Sequence, residues 1–331
     1  MSYKSTYLGK DISIPNKLNI VIALISIAVV LTLLWGATHT THWYIKIICF
    51  IAFGFIGNTV FGLLHESVHS SFNTNKTVNY VFGNIFAALF PTGFSFQKSC
   101  HLNHHRQNRT DYEMFEAYHE KDSYFLKTVM LYFILTGVYW ISPPVGAIWL
   151  MINPKSLFNS GWSGKDNYQR GRMGGAGMLR HLKEQSPSDI RKMRVEVLFS
   201  IIFQVSIFYL LDLTIVGWII CYLGFATQWS ALQYADHAYS PRDIRNGAWN
   251  LRVSKITQWF YLNYHHHLAH HQHPHVPWKH LAKFVDFDKE RPTFWSIYLK
   301  MWRGLVKIKE QSPNPIDKSF ESLIDSDPFK S

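Results

Sequence analysis

The apolar positions of this chain fall into long runs parted by short polar breaks. Residues 18–35 form a run of about the length that a hydrocarbon core requires. A signal peptide would have a shorter apolar region and a small-residue cleavage site, and here the next run begins almost at once, so a retained first span is expected. The linker 36–42 has no Lys or Arg, and residues 43–64 then return, with Lys46 near enough to the end to snorkel. This hairpin predicts that the polar lead 1–17 and Leu64 share one side, the cytoplasm. A second hairpin is expected from runs 197–211 and 213–232, turning at Asp212. Between them, the apolar stretch 79–96 contains Pro91. The longer stretch 124–152 is interrupted by Ser142-Pro143-Pro144, where a helix should end, giving a short hairpin or a span plus an interfacial helix. The expected fold is all-α: a multi-pass helical membrane protein of about four to six spans in hairpins. Residues 1–331 make one membrane-embedded domain with a polar tail from 313 to 331.

The polar breaks hold the chemistry. Residues 263–278, NYHHHLAHHQHPHVPW, carry seven histidines, and His267, His270 and His271 stand at i, i+3 and i+4, on one face of a helix. His101, His104 and His105 repeat that spacing, and His65 and His69 lie one helical turn apart. Neutral imidazole is the commonest side-chain metal ligand, so three such clusters point to metal. If they share one site they lie on one face of the membrane, and the number of crossings between any two is even. Residues 79–96 therefore cannot form a single full span; they must dip in and return or lie along the interface. His237, just beyond the run ending at Leu232, emerges at the same depth as a candidate ninth member. Gln233 lies one turn before it, and Asp236 is placed to orient an imidazole.

Composition changes the picture little. The 33 Lys and Arg against 22 Asp and Glu are read as basic loops beside a membrane, not as a nucleic-acid surface. Residues 155–194 are the most basic of these, with Arg170, Arg172, Arg180, Arg191, Lys192 and Arg194 around the piece GRMGGAG, which lacks the spacing of a nucleotide fingerprint. A cytoplasmic loop meeting anionic headgroups is expected there, with docking of an acidic electron carrier or an acyl carrier as the alternative. Cys49, Cys100 and Cys221 make neither a disulfide framework nor a paired thiolate site.

The clustered histidines exceed the three or four protein ligands of one zinc and fit two metals with about four imidazoles each. Iron suits redox work, for which zinc has no electrons to offer. Two rivals remain. His65-Glu66-Ser67-Val68-His69 is literally HExxH, the zinc-protease signature with Glu66 as general base, although this leaves both His-x-x-His-His clusters without a role. A metal carrier or sensor would need ionisable groups along a path through the membrane, whereas these gather at one side.

HESVH, HLNHH and HLAHH, in that order between hydrophobic hairpins, resemble the three histidine boxes of the integral-membrane fatty acid desaturase superfamily, which also holds membrane hydroxylases and carotenoid ketolases. The resemblance runs from about the first span through Trp278. It implies a di-iron, oxygen-dependent enzyme on a helical membrane scaffold with a cytoplasmic helical cap, introducing a double bond into a fatty acyl chain, or hydroxylating or ketolating a lipid. By the same resemblance His65, His69, His101, His104, His105, His267, His270 and His271 are the ligands of two Fe ions, and His237 corresponds to the family's further histidine before the third box. With no Cys-x-x-Cys pair and no fused haem module, electrons are expected from a separate protein of ferredoxin, rubredoxin or cytochrome type.

The crossing parity has a direct test. Single cysteines introduced beside Met1, His101 and His267 should all be labelled from the cytoplasmic side in oriented vesicles. Labelling of the His101 and His267 regions from opposite sides would rule out a shared metal site.

Overall fold

The computed structural model describes residues 6–159 and 176–316. Two helical hairpins make its frame. α1 (Asn16–His39) and α2 (Trp43–Val68) are joined by three residues, and α9 (Pro187–Leu210) and α10 (Ile215–Ala235) by a turn in which Asp212 takes a left-handed backbone, φ 47°. Among the described residues these four helices are long and apolar enough to cross a membrane. α2 and α10 are the inner pair, buried along more than half of their apolar stretch, while α1 and α9 turn Val21, Leu24, Ile25, Ile202 and Val205 outward. Small residues set the distance between the inner helices. A Cβ on Gly224 would collide with the backbone carbonyl of Phe50, and one on Gly57 would come within 2.8 Å of Phe225 Cδ2. Lipid gives helices no hydrophobic reason to associate, so close van der Waals contact has to hold them.

The stretch 79–96 turns back, as the even number of crossings requires. α3 (Lys76–Leu89) starts on the Asn75 side chain, which accepts from the amides of Thr77 and Val78. At 14 residues it is about 21 Å long, short of the ~30 Å hydrocarbon core. Phe90 to Gly93 reverse the chain, and α4 (Phe94–Gln107) carries the second histidine cluster back to the end of α2.

Three expectations need correction. The run 124–152 breaks at Gly137 (φ 88°), not at the two prolines: α5 (Tyr124–Thr136) ends there, a 3-10 turn (Val138–Ile141) follows, and α6 (Ser142–Ile152) leaves at 93°. Pro143 and Pro144 fall in the first turn of α6, where the missing amide has no partner to lose. Whether this bent pair is one span or none, it raises the count of candidate spans to five at most. Where the basic segment 155–194 is described, at 155–159 and 176–194, it is largely helical and packed, not an extended loop. α7 (Pro154–Phe158) and α8 (Ala176–Lys183) pack Leu157 and Leu182 on Phe96, Leu150 and Met193, and Arg194 donates to the Met151 carbonyl at 2.8 Å. α9 begins ten residues before the apolar run, capped by Ser186 with Pro187 next; hydropathy marks only its membrane portion. The GRMGGAG piece up to Gly175, with Arg170 and Arg172, lies outside the described residues, as do residues 317–331 of the tail. Finally, the polar lead is a strap. Residues 6–11 form a tight antiparallel hairpin, and Ile12 is fully buried against Val276 and Leu281 beyond the third histidine cluster.

The α2–α10 contact predicts an asymmetric response to added methyl groups. Gly224→Ala should lower the thermal midpoint in detergent by the equivalent of about 1–3 kcal/mol, because the obstructing atom is rigid backbone. Gly36→Ala, whose Cβ would find only Cys49 Sγ at 3.7 Å, should leave the midpoint unchanged or raised.

Candidate metal centre

Four segments deliver the histidines to one end of the bundle. His65 stands in the last turn of α2 and His69 is its C-terminal cap; His101, His104 and His105 line the last two turns of α4. His237 follows Asp236, the cap of α10, and its amide is held by the Tyr234 carbonyl at 3.0 Å. The third cluster sits on α12 (His267–Gln272), a six-residue helix too short to be stable alone. Tertiary bonds fix it: Leu251 N–H donates to His265 O, Leu268 N–H to Trp249 O, and Ala269 N–H to the Asn250 side chain at 3.1 Å.

All nine histidines singled out from the sequence meet here, in two groups. His65, His69, His101 and His270 offer nitrogens within 4.8 Å of one another, and His104, His237, His267 and His271 do the same beside them. His105 lies between, its Nε2 3.0 Å from both His101 Nε2 and His270 Nε2 and its ring 4.4 Å from that of His271. Each i, i+3, i+4 box is thus divided: α4 gives His101 to one group and His104 to the other, and α12 gives His270 to one and His267 with His271 to the other.

The donor atoms suit cations. His65 and His270 face each other Nε2 to Nε2 at 3.0 Å, His69 and His101 at 2.8 Å, His267 and His271 at 3.2 Å. Hydrogen bonds can join such rings only in pairs, leaving other lone pairs opposed. Nitrogens bound to one ion at about 2.1 Å stand roughly 3.0–3.4 Å apart, close to this spacing. Burial, then the neighbouring imidazoles, hold His69, His101, His105, His237, His267, His270 and His271 well below the ordinary imidazole pKa, in the neutral form that binds metal.

Surrounding groups choose which nitrogen is free. His237 Nδ1 lies 2.8 Å from the Gly247 carbonyl, to which it donates, so Nε2 presents its lone pair toward the cluster. His267 Nδ1 is 3.5 Å from Asp236 Oδ2, and His104 Nδ1 is 3.4 Å from Glu113 Oε2. Asp236 therefore stands beside an imidazole, as expected, though that of His267 as well as that of His237. Both of its oxygens are buried without a hydrogen-bond donor, an arrangement that positive charge on the imidazoles' far side would relieve. Gln233 Oε1 accepts from the Tyr264 hydroxyl at 3.0 Å, and its side-chain nitrogen is buried without a hydrogen-bond partner.

Glu66 divides its carboxylate, with Oε1 3.9 Å from His65 Nδ1. Its Oε2 accepts from the Trp278 amide at 3.1 Å and from the Ser71 hydroxyl at 2.9 Å, pinning the segment beyond α12 to the end of α2. Several residues had no ligand-like spacing to announce them. Tyr264 packs its ring 5.2 Å from His65 and 4.8 Å from His267. Arg109 pairs with Glu116 at 2.9 Å in the interior, and Tyr234 donates its hydroxyl to the same carboxylate, tying the loop after α4 to the end of α10. Only the position of Tyr264 next to the third box hinted at a role.

The family model described as fatty acid desaturase matches residues 41–302, which hold every one of these histidines. The chain belongs to the fatty acid desaturase family. No curated protein matches it. Membership makes it an enzyme, a membrane oxidoreductase on the desaturase scaffold, and the apolar hairpins and divided histidine clusters accord with that scaffold. The HExxH reading leaves two boxes without a role, whereas here His65 and His69 join His101 and His270 in one group, and one oxygen of Glu66 is engaged by Trp278 and Ser71.

In this desaturase fold, Glu66→Ala should cost about 1–3 kcal/mol of stability, because it leaves a buried amide and a hydroxyl without their acceptor. Glu66→Gln keeps one carbonyl oxygen and should lose less. Thermal unfolding of the three proteins in one detergent checks the order; three equal midpoints would refute the pinning role.

Proposed function

We propose that this desaturase is an oxygen-dependent di-iron enzyme that introduces a double bond into a fatty acyl chain of a lipid or acyl carrier. The observation that carries the reading is the paired histidine groups, one beside the other with His105 between them, at the end of an apolar bundle. His65, His69, His101 and His270 would hold one iron and His104, His237, His267 and His271 the other, with His105 completing the set. Iron there would supply oxygen activation and hydrogen abstraction from an unactivated C–H bond.

The chain's own residues supply position and dryness. Buried neutral imidazoles keep their lone pairs free of protons. The Gly247 carbonyl fixes ring orientation at His237, and Asp236 lies beside the His267 ring at 3.5 Å. Beside the cluster, a cavity of about 670 Å³ runs between α2, α10, α11 (Lys255–Phe260) and α13 (Phe294–Met301), lined by apolar groups such as Phe55, Leu232, Phe294 and Trp295, with Arg252 as its one charged residue. Its size and lining suit an acyl chain. Making a double bond removes two hydrogens from the chain; reducing dioxygen to two waters then needs two more electrons and two protons, which we assign to a separate electron-transfer protein of ferredoxin, rubredoxin or cytochrome type. We place the cluster on the cytoplasmic side, because the charge bias puts the N-terminal lead there and Tyr7 of that lead packs edge-to-face on His275 next to the third box, their ring centroids 4.4 Å apart.

Metal analysis of protein purified without a histidine tag should give about two iron per chain; one zinc and no iron would overturn the reading. His270→Ala should abolish lipid oxidation. His237→Ala should keep the fold, lose part of the iron and most of the turnover, and unchanged iron with full turnover would remove it from the ligand set. Lipid profiles of a host with and without the gene identify the reaction, an added double bond supporting desaturation and an added oxygen pointing to hydroxylation or ketolation.

A further inference from the structure

Two cavities meet at one side chain. Tyr261 lines the 670 Å³ cavity and also a small cavity of about 10 Å³ whose walls include His65, His267, His270 and Tyr264. Tyr261 is the one residue common to the two linings. Its hydroxyl donates to Gln228 Oε1 on α10 at 2.9 Å, and its ring packs 6.1 Å from that of Phe55 on α2. Gln228 is itself fitted in place: a Cβ on Gly54 would collide with its side-chain amide. The backbone just beyond Tyr261 is strained. Leu262 and Asn263 both take left-handed conformations, φ 45° and 57°, and for a leucine this is an unfavourable region. Gly62 leaves the room for it, Leu262 Cδ1 standing 3.3 Å from where a Cβ would be. Strain of this kind persists where the surroundings over-determine a conformation, and it concentrates at clamps and switch regions.

We propose that Tyr261 is the gate between the apolar cavity and the histidine cluster, and that it determines which carbons of a bound chain reach the cluster. Latched to Gln228, its ring separates the two spaces; swung away, it joins them and lets a chain in the cavity extend toward His65, His267 and His270. The strained turn at Leu262 and Asn263 gives the backbone an alternative to relax into as the ring moves. The gate rests on the acyl-chain reading above, but its test separates the two.

Purified full-length wild type, Tyr261→Phe, Tyr261→Ala and Gln228→Leu are compared by two measurements. The first is displacement of a bound fluorescent polyene fatty acid by saturated fatty acids of graded length. Each methylene that finds apolar space should tighten binding about fourfold, until the chain meets the gate and the gain stops. Tyr261→Ala should move that limit to longer chains, with Tyr261→Phe and Gln228→Leu between it and wild type. The second is the position of the new double bond in products from a host supplying electrons, which should be narrow in wild type and spread over neighbouring carbons in Tyr261→Ala, with iron content equal. A Tyr261→Ala protein with full iron, the wild-type length limit and the wild-type product position overturns the gate. Should Tyr261→Ala lose its iron, the two milder variants decide, and wild-type behaviour in both overturns it equally. Wild type that binds fatty acids with a length limit yet oxidises none would instead overturn the desaturase reading and leave the gate standing as a binding feature.

Discussion

Nine imidazoles with their nitrogens turned toward one another inside a protein impose the constraint on which the rest of this structure depends. A buried polar ring without a partner is costly, and nine of them together cannot satisfy one another by hydrogen bonds alone. The arrangement is compatible with a metal site, in which the lone pairs have cations to meet and each ring is held at its angle. Much of the fold outside the membrane serves that second requirement. Gly247 O aims the His237 ring, Glu66 pins the segment after the third box, and the Arg109–Glu116–Tyr234 group ties the loop after α4 to the helix that delivers His237.

The membrane part serves as a rigid mount. α2 and α10 carry His65 and His237 at their ends, so any change in their spacing would be passed to the cluster. Glycines at positions 54, 57 and 224 bring these helices close enough for backbone-to-side-chain contact, which fixes that spacing without polar groups in the lipid. α3 and α4 solve a different problem. A chain that must return to the same face after a short excursion uses a helix too short to cross and a reversal at Phe90 to Gly93, and this places the second box beside the first.

The cavity completes the logic. On the proposed reading the apolar space lined in part by Tyr261 would give a hydrophobic chain somewhere to lie, while Tyr261 and Tyr264 each donate a hydroxyl hydrogen bond to a glutamine of α10.

The sequence alone determined the four long apolar helices, the reversal within 79–96 and the membership of the histidine cluster, because each rests on a strong local signal: run length, parity, or ligand spacing on a helix face. His237 was reachable by depth at the end of a span and by family resemblance. Local signals failed where a second segment decides. Pro143 and Pro144 looked like the break in 124–152, yet Gly137 bends the chain, since its left-handed conformation fits against the backbone of Thr227 in α10, a neighbour no local pattern reveals. The lead at 6–14 looked merely polar because Ile12 finds its partners, Val276 and Leu281, near the opposite end of the chain. How each box divides between two groups, which nitrogen of His237 is free, and that Glu66 holds a tryptophan amide were likewise decided only by tertiary structure. Helical spacing fixes which side chains share a face; what stands opposite that face depends on contacts between segments far apart in the sequence.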